Sequence, residues 1–104
     1  MGKVFVIKDE GRFNLSGALK FGSEIISIFN KEIPVWSSSR PFVKQMESKL
    51  MSFNSEEDYI LVVGDPVGIN MAGAVLVDKG HRSYKLLKWD NRQKEYFPVE
   101  IVLD

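Results

Sequence analysis

A chain of 104 residues with 44% hydrophobic and 12% aromatic side chains has the makeup of one globular domain spanning residues 1 to 104. A domain of this size buries about two-thirds of its unfolded surface, enough for a single core, which excludes large multi-part enzymes. Fourteen cations balance fourteen anions, so there is no general pull toward nucleic acid or acidic lipid, and the lack of cysteine excludes disulfides, thiolate zinc sites and cysteine nucleophiles.

The first predicted element is a strand over residues 3 to 8, where Val4, Phe5, Val6 and Ile7 are apolar on both faces, as in a buried strand. Asp9 and Glu10 follow too closely for a signal peptide, and Val6 stands where a myristoylation signal needs Ser or Thr. Asn14 or Ser16 then caps a short helix through Ala18 and Leu19 that stops near Gly22, a residue able to adopt the left-handed conformation of a helix end. Residues 24 to 29, with Ile25, Ile26, Ile28 and Phe29, form a second strand, because Gly22 interrupts the helical pattern.

Ser37, Ser38 and Ser39 precede Arg40 and Pro41, the order of cap and first turn at a helix start. Phe42, Val43, Met46, Leu50 and Phe53 continue as a core-facing stripe. Residues 59 to 63 are a buried strand, and their Ile60 to Val63 run is the longest aliphatic stretch, far below the ~18 residues a membrane span needs. Gly64, Asp65 and Pro66 end that strand and cap a helix carrying Val67, Met71, Ala74 and Val75, which closes at Lys79 and Gly80. Residues 83 to 89 and 95 to 103 form a hairpin across a five-residue connection, and Pro98 places the last strand at a sheet edge because it has no N–H for a ladder.

Strands alternating with helices call for parallel pairing with right-handed crossovers. The expected fold is a small three-layer α/β sandwich of about five strands. It is mostly parallel, with a C-terminal antiparallel edge hairpin and the Rossmann-like or flavodoxin-like order 2-1-3-4-5.

In such a sheet ligands gather beyond the carboxyl ends of the strands. The loops of residues 9 to 12, 35 to 40 and 64 to 70 reach that rim. Trp36, Ser38 and Arg40 offer an aromatic face, a hydroxyl and a guanidinium for a phosphate or a base; a helix cap beside a tryptophan explains the same residues. Gly64 and Asp65 open a helix N-terminus where an anion could dock, but Asp65 repels phosphate and is a natural cap, and the segment matches no phosphate-binding motif. The single histidine, His81, reads as an exposed loop residue at the opposite end of the sheet from the serines. No catalytic residue is assigned, the reading leans away from an enzyme, and neither cofactor nor metal is expected. A magnesium site from Asp9, Glu10 and Asp65 is conceivable, but nothing in their spacing demands one.

Residues 79 to 95 carry six cations against two anions, a local charge of +4. Lys85, Lys88, Trp89, Arg92, Tyr96 and Phe97 are therefore the candidate interaction surface, for an acidic protein surface or a nucleic-acid backbone, against the plainer reading of a solvated hairpin whose charges discourage edge pairing. On the last strand Phe97, Val99, Ile101 and Leu103 share one face, and Tyr96, Pro98 and Glu100 the other.

The segments DYILVVGDPV (58 to 67), LLKWDNRQ (86 to 93) and YFPVEI (96 to 101), with KVFVI (3 to 7) and KFG (20 to 22), resemble a set of small uncharacterised bacteriophage proteins. The resemblance covers nearly the whole chain and is least over residues 32 to 54, which leaves the serine-rich loop unsupported by it. It implies a phage-encoded accessory product acting in the cytoplasm of an infected bacterium. No activity or site residue is carried over with it. The first expectation is thus a non-enzymatic interaction protein that binds a host protein or itself, as a homodimer. A nucleotide or phosphate binder at the carboxyl rim comes second, and a nucleic-acid binder through the hairpin third; no membrane partner is expected.

Overall fold

In the computed structural model, which describes residues 2–8, 15–30 and 40–103, the opening apolar run forms β1 (Lys3–Val6). It is followed by a 3-10 helix, η1 (Ser16–Lys20), and β2 (Glu24–Ser27). Helix α1 (Arg40–Lys49), strand β3 (Tyr59–Leu61), helix α2 (Pro66–Asp78), and the hairpin strands β4 (Ser83–Asp90) and β5 (Glu95–Val102) complete the chain. The sheet order is β2-β1-β3-β4-β5, with β2, β1, β3 and β4 parallel and β5 antiparallel to β4. The fold is α/β with the expected strand order, and Pro98 lies on an edge strand.

The layers follow from the order. The chain steps from β1 to β2 in one direction and from β2 through β3 to β4 in the other, so right-handed crossovers put η1 on one face and both α-helices on the opposite face. On the α face, Phe5, Ile60, Met46, Leu50, Met71, Ala72, Val75 and Leu76 are buried together, with Ile26, Tyr84 and Leu86 packed against them. On the η face, Val4, Val6, Leu61, Leu87, Leu15, Ala18 and Tyr96 form a second, smaller cluster. Each fully buried large aliphatic side chain contributes about 1.5–3 kcal/mol. Three layers are present, and they are unequal: among the described residues η1 is the only helix on its face.

Local chemistry explains the boundaries. The Asp65 carboxylate caps α2 by accepting from the Val67 N–H at 2.8 Å, with Pro66 in the first turn. At its other end Gly80 sits at φ +97°, the Gly80 N–H donates to the Val77 carbonyl, and the His81 N–H donates to the Leu76 carbonyl. This pair of bonds is a Schellman closure, which needs a glycine in the left-handed region. The stripe Phe42, Val43, Met46, Leu50 and Phe53 faces the core as expected. At the amino edge of the sheet the buried Asp58 carboxylate accepts from the backbone N–H of Lys3 at 2.8 Å and of Asn54 at 2.7 Å, joining β1 to the loop before β3.

Several expectations are corrected. The first helix is a single 3-10 element preceded by Leu15, with no side-chain cap bond; Ser16 lies inside it, and Asn14 falls outside the described residues. Gly22 is required by space rather than by a left-handed backbone: a Cβ there would lie 2.9 Å from the Gly2 carbonyl oxygen and 2.9 Å from Val4 Cγ2. Ladder bonding outlasts β2, since Ile28 and Phe29 donate to the Val6 and Ile7 carbonyls at 2.8 and 2.9 Å. Asp90 pairs with Glu95, which shortens the hairpin loop to residues 91–94. There Asp90 Oδ1 accepts from the Arg92 N–H at 2.9 Å, and Lys94 adopts φ +57°. His81 is half-buried rather than exposed, with its ring edge-on to Phe53 at 5.5 Å. The serines 37 to 39 lie outside the described residues.

Candidate functional site

Two regions gather the residues singled out from the sequence. At the carboxyl rim, Gly64 is held at φ +103° between β3 and α2, and Asp65 commits Oδ1 to capping. Arg40 opens α1 and is exposed, while Trp36, Ser38, Asp9 and Glu10 lie outside the described residues. Beside α1, where β2 runs out, Phe29, Asn30, Phe42 and Gln45 line a cleft of about 230 Å³. Phe29 and Phe42 meet edge to face at 6.0 Å, and Asn30 and Gln45 are the polar residues of its lining. Sequence reasoning did not single out this cleft: Phe42 reads as core from its periodicity, and Asn30 and Gln45 carry no motif. Among the described residues no group of three or more His, Asp or Glu side chains is placed to hold a metal ion.

The second region is the hairpin. Antiparallel partners project to the same side of a sheet, so the register fixes where each side chain goes. Trp89 pairs with Tyr96 on the η face, their rings 4.9 Å apart and steeply inclined at 66°. Tyr96 is buried there, against the position of Gly17 on η1. Burial raises the Tyr96 phenol above its ordinary pKa of 10.0. Lys88 pairs with Phe97 on the α face, and Arg92 lies in the loop. The six residues are therefore shared between two faces and a tip rather than collected on one surface.

Three of the six cations in this segment direct their head groups at the protein's own acceptors. Lys85 Nζ donates to the Glu56 carbonyl at 2.6 Å and sits 4.7 Å from the centre of the Tyr59 ring. Arg82 Nη2 donates to the Leu103 carbonyl at 2.8 Å, and Lys94 Nζ to Asn91 Oδ1 at 3.0 Å. The +4 charge read along the sequence is in part spent internally.

Beside its exposed charges, the hairpin presents apolar side chains. Phe97, Val99 and Ile101 on β5, and Leu103 just beyond it, project on the α face; Val99 and Ile101 are half-buried but join neither core cluster, and Phe97 and Leu103 are each 38% exposed. On the η side Val102 is 56% exposed. Alternation in the sequence marks this stripe; that it lies outside both core clusters becomes visible only in the fold.

An α/β fold with a five-stranded mixed sheet and a partly exposed apolar stripe on its edge strand is the class these observations define. The chain belongs to the phage Pam3 gp32-like protein family, whose model matches residues 2–103. No curated protein and no solved structure matches it. Membership agrees with the resemblance read from the β1, β3, β4 and β5 segments and makes this a phage protein. No helix among the described residues is long and apolar enough to cross a membrane.

Proposed function

We propose that this phage protein is a non-enzymatic accessory factor that works in the host cytoplasm by protein–protein contact, with the β4–β5 hairpin as its docking element. The observation that carries the reading is the α face of the β5 edge, where Phe97 and Leu103 are exposed and Val99 and Ile101 half-buried, all four outside both core clusters. Such a surface on a small domain is a contact surface or an aggregation liability. The test is affinity capture from the infected host together with mass measurement in solution, using the wild-type chain and the double variant Phe97→Asp, Leu103→Asp. Both substitutions fall on exposed side chains outside the two core clusters, so the fold is retained. A protein or second copy held by the wild type and released by the variant supports the reading. A monomer that captures nothing, or a partner indifferent to the variant, contradicts it.

A second reading, a nucleotide or phosphate-ligand binder, is favoured by the cleft of Phe29, Asn30, Phe42 and Gln45, since it lies near the carboxyl ends of parallel strands, where α/β domains hold ligands. A thermal-shift screen of nucleotides decides it. A ligand at a hundred times its dissociation constant stabilises by about 2.7 kcal/mol, and the absence of any shift removes the reading.

A further inference from the structure

The backbone of β5 carries a second signal, independent of its side chains. The Leu103 N–H donates to the Arg82 carbonyl at 2.9 Å, and the Val62 N–H donates to the Leu87 carbonyl at 2.9 Å. Leu87 thus turns its backbone toward β3, and its partner Pro98 turns toward the outer edge, where its missing N–H costs no ladder bond. By the alternation of an antiparallel ladder, residues 97, 99 and 101 face β4, while Glu100 and Val102 direct both N–H and C=O outward. Pro98 blunts one half of this edge. The other half contains a single charge, Glu100, and presents two donors and two acceptors in a row.

From this pattern we infer that the occupant of the edge is a second copy of this chain, added antiparallel through β5 with Ile101 facing its own counterpart across the two-fold axis. The inference rests on the hairpin reading above and names its partner. The sequence selects this register over its neighbours. With Ile101 on the axis, Glu100 exchanges both backbone hydrogen bonds with Val102 of the other copy, and the same pair repeats by symmetry, which satisfies all four outward groups on each chain. Centring on Glu100 would set two carboxylates opposite each other and aim the Val102 N–H and C=O at a proline with no N–H to return. Centring on Val102 would pair that residue only with itself and leave the outward N–H and C=O of Glu100 without a partner among the described residues. Like charges directly opposite one another are destabilising, and the second alternative forms fewer backbone bonds, so both are disfavoured. In the chosen register Val99 also lies opposite Leu103, so the apolar stripes of the two copies run into one another on the α face. The paired segment is short, which places the dimer among weak, concentration-dependent associations below the ~800 Å² per partner of a standard interface.

The chain has no cysteine, so a single introduced thiol reports on the axis cleanly. Residues facing each other at a non-hydrogen-bonded site have Cα atoms about 4.5 Å apart, within disulfide reach. The full chain is measured by sedimentation equilibrium from micromolar to millimolar protein, and Ile101→Cys and Phe97→Cys are oxidised mildly. The expected results are a monomer–dimer equilibrium, covalent dimer from Ile101→Cys but not from Phe97→Cys, and loss of dimer in Glu100→Pro, which removes an outward N–H as Pro98 already does. Circular dichroism of Glu100→Pro confirms that the domain remains folded. A monomer throughout the range, or equal cross-linking at both cysteines, overturns the inference. If the wild type is monomeric yet captures a host protein that the Phe97 and Leu103 variant releases, the dimer fails and the hairpin reading stands. If it neither dimerises nor captures, both fail.

Discussion

The Lys85 ammonium lies 4.7 Å from the centre of the Tyr59 ring while donating to the Glu56 carbonyl, so a side chain on β4 closes over β3 at the amino end of the sheet. This geometry gives Lys85 a structural role. Lys85→Met keeps the aliphatic stem and removes the charge. It should cost about 1 kcal/mol, the scale of a partly exposed cation–π pair with one charged hydrogen bond, and leave partner capture unchanged. Urea denaturation beside the capture assay checks both halves.

Asp58 is the one buried carboxylate among the described residues, and each oxygen receives a backbone N–H. Asp58→Asn replaces an acceptor with a donor that faces an N–H, so one bond is lost and two donors are left opposed. The expected loss is about 2–3 kcal/mol, with β1 loosened at its start. Amide exchange at Lys3 and Asn54 should quicken in the variant before global unfolding.

Two glycines should fail for different reasons. Gly64→Ala meets no obstruction, the nearest atom being Ile7 Cβ at 3.9 Å, but it holds an L residue at φ +103°, a cost of about 1–2 kcal/mol. Gly22→Ala has no such backbone problem and instead drives a methyl group into the Gly2 carbonyl and Val4, an overpacking cost of about 1–3 kcal/mol. The urea midpoint measures each loss. A change in the methyl chemical shifts of Val4 should accompany Gly22→Ala alone, because Val4 Cγ2 lies where the new Cβ would go and Val4 pairs with Tyr59 across the ladder.

Burial of Tyr96 favours its neutral phenol and so raises its pKa in the folded state. The stability this contributes is fully present below the unfolded value near 10 and is lost as pH rises through the higher folded value. The stability of the wild type should therefore fall more steeply above pH 10 than that of Tyr96→Phe, as read from urea midpoints across the alkaline range.

Much of the fold is legible in the residues because local and tertiary preferences agree. The Asp65–Pro66 pair fixes one helix start, the stripe from Phe42 to Phe53 one core face, and Pro98 one sheet edge; each choice has a single comfortable structural home. What escapes the sequence depends on distance in space. Gly22 reads as a helix stop, yet its reason is the approach of Gly2 and Val4, about twenty positions earlier. The cations of the hairpin read as a patch, but Lys85 finds Glu56 and Tyr59, and Arg82 finds Leu103, partners that linear charge counting does not see. The cleft at Phe29 and Phe42 is hidden because its lining residues each have an ordinary role in their own element.

The most direct test of the docking edge is amide hydrogen exchange at Glu100 and Val102 as a function of protein concentration. Edge pairing through β5 predicts that both amides exchange as open groups in dilute protein and become protected as concentration rises, while Leu103, bonded to Arg82, stays protected throughout. Rapid exchange of Glu100 and Val102 at every concentration and in the presence of any captured partner would contradict the account.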